Sequence, residues 1–373
     1  MTDDRVTGRQ ARAAAFTALL APLIRVLPRG AAVLAGRGAW LSVFAAAPAL
    51  LALALLLCSL CRALAPGEGL APLFLRVFGP IPGRALLVLY GGWSFLYAGF
   101  VLRGGAERLA EAVYPHSRPE PFLIAMLALS LLASLGTVRG LARTGTVLRG
   151  LLLSVLAVLF LLALRDLDPE NLFPLRGLRP TDVLLGALPT ATVGGTAALF
   201  AFLAGYADPS PRPGRGLFSL LLCFLLTASA LCLTTVGSFG AVLTTRLSYP
   251  FFTMLRDLTL FGASQRFEAA VIALWVFSDL ALCTLLLRCG NEAWRTVFSL
   301  PVPEGDGPLR SLRRGRWLLW AGAALAGAGA ALVAPDSEVF RLWADRLAPL
   351  LMNLFVWGGL PLLWLVGRLR KIV

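Results

Sequence analysis

Histidine and lysine are nearly absent from this chain: His116 and Lys371 are the only examples among 373 residues. A single histidine excludes a histidine-rich metal site. Charged residues of both signs make up 14% of the sequence, against about 25% in soluble proteins. That shortage excludes an ordinary solvated globule. The six cysteines suggest no disulfide framework. Cys58 and Cys61 form a C-x-x-C inside an apolar run, where they read as small hydrophobes. Cys223, Cys232, Cys283 and Cys289 also sit in or at the edge of apolar runs. The formal charge of +14 invites a nucleic-acid reading. The arginines, however, stand singly between apolar runs and form no basic domain, so that reading is rejected. No set of catalytic residues and no cofactor motif is present, which argues against an enzyme.

What the chain has in abundance is apolar sequence: 58% hydrophobic residues and a mean hydropathy of +0.79. A transmembrane helix needs about 20 mostly apolar residues. The runs predict an all-α integral membrane protein with about ten transmembrane helices in a single domain, 1–373. Spans are expected near 11–34, 39–61, 84–103, 121–138, 146–164, 183–206, 217–241, 267–289, 316–334 and 344–367. A charged N-terminus followed by a run broken by Pro22 and Arg25 does not resemble a cleaved signal peptide. With the N-terminus inside, twenty of the 34 basic residues fall on the cytoplasmic side, Arg310 to Arg316 and Arg368 to Lys371 among them. The positive-inside rule then gives N-in, C-in.

Two spans carry helix breakers. The first contains Ala21-Pro22-Leu23-Ile24-Arg25, with Pro28 three residues on. The sixth contains Pro189, Thr190, Thr192, Gly194, Gly195 and Thr196. Paired interruptions at corresponding positions of two five-helix halves point to an inverted-repeat transporter with a midplane site. Kinks without a site are the plain alternative. If both helices unwind there, freed N–H groups suit a ligand carboxylate and freed carbonyls an ammonium. Ala21 to Arg25, Thr192, Gly194, Gly195 and Thr196 are therefore the expected ligand-binding residues. Asp279 lies near the middle of the eighth span, where a charge costs at least about 2.5–3.5 kcal/mol. It should face the bundle interior as a coupling or ion site, or be a protonated group bonded to a neighbouring helix. Arg25 is its expected partner. Tyr97 and Trp93 either line the pathway or pack.

The stretch from Ser248 to Asp279 is the most distinctive. Pro250 suits a first helical turn and Gly262 a stop, framing a short, non-spanning amphipathic helix over 250–262. Arg256 on it is a candidate gate, or a lipid-headgroup contact. Glu268 opens the eighth helix, where its charge suits the dipole. The order Tyr249-Pro250, Leu255-Arg256-Asp257, Arg266-Phe267-Glu268-Ala269, Leu274-Trp275 resembles the spore-germination receptor B-subunit family (GerAB-like). Thr7-Gly8-Arg9-Gln10 and Leu27-Pro28 followed by Ala35-Gly36-Arg37-Gly38-Ala39-Trp40 are similar to that family as well. The sixth span departs from it, since Gly195 is followed by Thr196 where the family often has a Gly-x-Glu-like pair.

The resemblance implies kinship with amino-acid permeases and a LeuT-like 5+5 inverted repeat with helices 1 and 6 broken. It implies a nutrient receptor in the spore inner membrane, beside an A-type and a lipoprotein C-type subunit, triggered by a small molecule such as an amino acid. An amino-acid permease is the competing expectation.

Overall fold

Apolar runs bounded by proline and glycine form helices in the computed structural model, which describes residues 5–113, 117–173, 177–208, 213–257, 264–300, 308–332 and 337–373. The first helix, α1, spans Gly8–Ala35. Thr7 and Gln10 start it with a reciprocal capping box, each side chain bonding the other's backbone N–H, at 3.4 and 3.2 Å. Gly36 ends it at φ +54°, a conformation that suits glycine. The helices α2 (Ala39–Ala45) and α3 (Ala47–Arg62) follow. Next come α4 (Ala71–Phe78), α5 (Pro80–Val113), α6 (Glu120–Leu135), α7 (Val138–Ala163) and α8 (Pro169–Leu172). The helix α9 (Pro180–Gly195) passes directly into a 3-10 segment, Thr196–Tyr206. After it come α10 (Pro213–Arg246), kinked at Gly240, then α11 (Pro250–Asp257), α12 (Ser264–Val297) and α13 (Pro308–Leu332). The last elements are α14 (Ser337–Leu342), α15 (Ala348–Asn353) and α16 (Leu360–Leu369).

Six helical stretches among the described residues are long and apolar enough to cross a membrane, and Glu120–Leu135 and Trp317–Ala331 add shorter apolar helices. Leu55, Ile124, Leu132, Leu161, Phe218 and Val242 are each more than 60% exposed. A large apolar exterior on long helices suits hydrocarbon rather than water. The chain is an integral, multi-pass membrane protein.

Two apolar clusters divide the interior. One gathers α4, α5, α6, α12 and α13 with the 3-10 segment, α15 and α16; Phe95, Leu102, Leu286 and Ala326 are fully buried in it. The other gathers α1, α2, α7, α9, α10 and α11; Leu20, Leu27, Val43 and Val236 are fully buried there. Trp275 of α12 packs into the second cluster, so α12 belongs to both.

The expected breaks take a different form. Helix α1 runs through Pro22 and Pro28 without unwinding. Each proline removes one N–H and leaves the carbonyl four residues back, of Ala18 or Ile24, without its helical donor. Neighbouring turns hold the helix together. In the sixth span the change is one of winding, from α to 3-10 at Thr196. Eleven residues are long for a 3-10 helix, which seldom exceeds three or four. The closing stretch shows a related adjustment. Wider π turns at Trp343–Leu347 and Leu354–Gly359 bracket α15 and lie just before or around the positions that Pro349 and Pro361 leave without a donor.

Helix α5 packs closely because glycines line it. A Cβ on Gly99 would lie 2.0 Å from the Ala326 carbonyl oxygen of α13, whereas one on Gly92 would meet nothing within 4 Å. Gly99→Ala should therefore lower the melting midpoint in detergent, with an overpacking cost of about 1–3 kcal/mol. Gly92→Ala should be neutral or stabilising by up to about 1 kcal/mol. Equal midpoints for the two variants would contradict the close α5–α13 contact.

Candidate functional site

A cavity of about 490 Å³ lies between the two clusters of described residues. Ligand pockets span roughly 300–1,000 Å³. Helix α1 contributes Pro22, Arg25 and Arg29, and α5 contributes Tyr97, Phe100 and Glu107. Helix α9 contributes Pro189 and Thr192. The far wall is Phe340 with Met352 and Asn353 of α15, and Tyr249 closes one end. Thr192 ties two of these walls: its hydroxyl lies 2.9 Å from Asn353 Oδ1 and also 2.9 Å from the Leu188 carbonyl.

Beside the cavity sits a buried ion pair. Arg108 of α5 donates from Nη2 to Asp279 Oδ2 of α12, and both side chains are under 10% exposed. The Arg108 guanidinium also lies 5.6 Å from the Tyr249 ring centre and 5.8 Å from that of Trp275. Gly105 makes room for the carboxylate; a Cβ there would stand 3.1 Å from Asp279 Oδ2. The neighbouring Ser278 hydroxyl donates to the Thr17 carbonyl, tying α12 to α1. The expected Arg25–Asp279 pair is thus not the one formed: Arg108 takes the carboxylate. Arg25 lies on the other side of Gly104, its guanidinium 5.2 Å from the Phe100 ring centre. A Cβ on Gly104 would stand 2.8 Å from Arg25 Nη1 and 3.5 Å from Arg108 Nη1, so the two cations share that gap.

A family model described as "Spore germination protein" (Spore_permease) matches residues 6–302. The chain belongs to this family. Its fold is that of LeuT-type transporters, about ten helices in a 5+5 arrangement. A Na+-coupled sialic acid symporter, solved substrate-bound and outward-open, superposes with a TM-score of 0.68 at 11% identity, covering 94% of this chain and 78% of the symporter. MhsT in complex with L-phenylalanine superposes at 0.60 with 15% identity, covering 92% of this chain and 89% of MhsT. At such identities the likeness concerns the fold alone. Comparison with curated protein sequences gave no significant match.

Within this member of the family, the expected ligand residues separate into two groups. Pro22, Arg25 and Thr192 border the cavity. Ala21, Leu23 and Ile24 are buried in helix packing, Leu23 and Ile24 within the second cluster. Gly194 faces Leu50 and Phe224, where a Cβ would lie 2.7 and 3.2 Å away. Gly195 faces Trp357 and Val356, and Thr196 is buried with its hydroxyl on the Thr192 carbonyl at 3.3 Å. These three do not border the cavity. The Arg256 side chain, the candidate gate, lies outside the described residues, as do His116, Gly262 and the Glu268 side chain. Tyr97 lines the cavity, while Trp93 stacks between Tyr97 and Phe355.

Sequence reasoning missed Arg108, Glu107 and Asn353. The first two follow the expected end of the third span, but α5 continues ten residues further. Arg103 and Glu107, four apart, pair at 2.9 Å and stay buried. That i, i+4 spacing was the available signal.

Removing one partner of a buried ion pair costs about 3–5 kcal/mol, because the other charge is left unpaired. Asp279→Asn and Arg108→Met should each lower the melting midpoint strongly, and the double variant should lose much less than the sum. Additive losses would show that the two side chains are not energetically coupled.

Proposed function

We propose that this protein is the nutrient-binding subunit of a germinant receptor, and that the nutrient, a small molecule such as an amino acid, binds in the 490 Å³ cavity. The cavity is the observation that carries the reading. It lies where the two clusters meet, so a ligand held there touches both α1 and α9 on one side and α5 on the other. A ligand preferring one relative position of the clusters shifts the population toward it. That Pro22, Arg25 and Thr192 border the cavity supports a role for them in holding the ligand. Asp279 ties α12 to α5 through Arg108, which takes its Oδ2, while its Oδ1 has no partner among the described residues. Arg256, on the short helix that follows Tyr249, is the proposed gate.

Membership in the family supports a role in germination. That role calls for A-type and lipoprotein C-type partner subunits and for the spore inner membrane, and the arginine distribution supports both termini inside. The second reading, a working amino-acid transporter, draws on the likeness to a Na+-coupled symporter and to MhsT with L-phenylalanine bound.

Equilibrium binding of radiolabelled amino acids to the protein in nanodiscs tests the site. At least one should bind, and Met352→Trp, which fills the cavity wall, should weaken it about ten-fold or more while the melting midpoint changes little. Undiminished binding would remove the cavity from the mechanism. Concentrative uptake into proteoliposomes containing this chain alone would favour the transporter.

A further inference from the structure

The cavity wall carries a charge that the described residues do not balance. Arg25 borders the cavity and is 9% exposed. Its Nε and Nη1 meet no hydrogen-bond acceptor among the described residues. Across Gly104 stands Arg108, which is itself paired with Asp279. Two guanidiniums and one carboxylate leave a net charge of +1 in a low-dielectric interior. The Phe100 face, 5.2 Å away, supplies the other attraction to Arg25, and a cation–π contact is worth about 0.5–2 kcal/mol. That is well short of the several kcal/mol a buried charge costs. The other charged groups of the cavity have partners: Arg29 Nε donates to the Thr245 carbonyl at 3.2 Å, and Glu107 pairs with Arg103.

We infer that Arg25 is the specificity-determining anchor of the site and takes an anionic group of the ligand, a carboxylate, through its side chain. A carboxylate is planar and divalent in acceptors, which matches the guanidinium fork. The rest of the ligand then lies along Phe100, Phe340 and Met352, so an apolar tail is preferred. The anchor is a side chain because α1 stays helical through Pro22, leaving the amides of Leu23 to Arg25 inside the helix. A ligand without the anionic group brings no partner for Arg25 and is rejected, since desolvated donors left unpaired discriminate strongly. This inference rests on the cavity being the nutrient site.

The test is a melting-midpoint and binding screen in nanodiscs. The probes are L-leucine, its deaminated analogue 4-methylpentanoate and its decarboxylated analogue isoamylamine, with the same trio built on phenylalanine and alanine. Carboxylate-bearing members should bind and the bare amines should not. Arg25→Gln should weaken binding about ten- to hundred-fold, the range of a lost charged hydrogen bond, and Arg25→Lys by less. Gly104→Ala, which leaves the charge in place but crowds Nη1, should also weaken it. If an amine binds as tightly as its acid, or Arg25→Gln binds normally, the anchor is overturned while the nutrient reading survives. If deaminated acids bind but no amino acid does, the anchor stands and the amino-acid reading falls. Binding to none of the probes overturns both.

Discussion

The buried pairing of Arg108 with Asp279 is the constraint on which this architecture turns. A carboxylate in the middle of a membrane-spanning helix is tolerable only with a partner or a proton. Arg108 supplies the partner from α5, and in doing so fixes α12 against α5. The same guanidinium is enclosed by the rings of Tyr249 and Trp275. The segment from Ser248 to Asp279 therefore contributes three walls around one cation. Its family-like spacing has a physical meaning. Tyr249 stands just before the short helix α11, and Trp275 and Asp279 are four residues apart on one face of α12, so both turn toward Arg108.

Close approach is what makes this possible. Gly104 and Gly105 give α5 a bare surface where Arg25, Arg108 and Asp279 meet. A methyl group at Gly104 would intrude on the Arg25 guanidinium and the Phe340 ring, and one at Gly105 on the Met126 side chain and the Asp279 carboxylate. The cavity begins where this surface ends. It is bounded by α1 and α9 from one cluster and α5 from the other, with α15 held between two π turns on the far side. Wide turns of this kind are frequent at functional sites, and here proline positions account for them locally.

Much of this was legible in the sequence and some was not. The apolar runs gave the helices, because hydrocarbon leaves a chain few alternatives. Asp279 stood out because a mid-span charge has few innocent explanations. Thr7 and Gln10 were visible as part of a family pattern, and the structure explains them as a capping box. Arg108 was not visible as a partner. It follows Arg103 and Glu107, and a run of charges after an apolar stretch reads as the aqueous end of a helix. Their burial depends on pairing within α5 and on α12 arriving from 171 residues away. No local pattern encodes that. The prolines misled in a different way. Pro22 lowers the tendency to remain helical, but whether a helix opens depends on neighbours that hold the freed carbonyls.

That last point changes the chemistry expected of the site. An unwound helix offers backbone dipoles, which are neutral and recognise either end of a zwitterion. A continuous helix bearing Arg25 offers a fixed positive charge instead, which recognises only one. The first arrangement suits ligands that share an amino-acid core. The second discriminates by charge and leaves the remainder of the ligand to be sorted by an apolar wall. The difference also bears on signalling. A backbone site responds by winding and unwinding, whereas a guanidinium next to a second guanidinium responds to charge. A bound anion, if Arg25 takes one as proposed, would offset the repulsion between Arg25 on α1 and Arg108 on α5 and favour a closer approach of the two clusters across Gly104. Ligand occupancy would then be felt at the ion pair that holds α12, because Arg108 is common to both contacts.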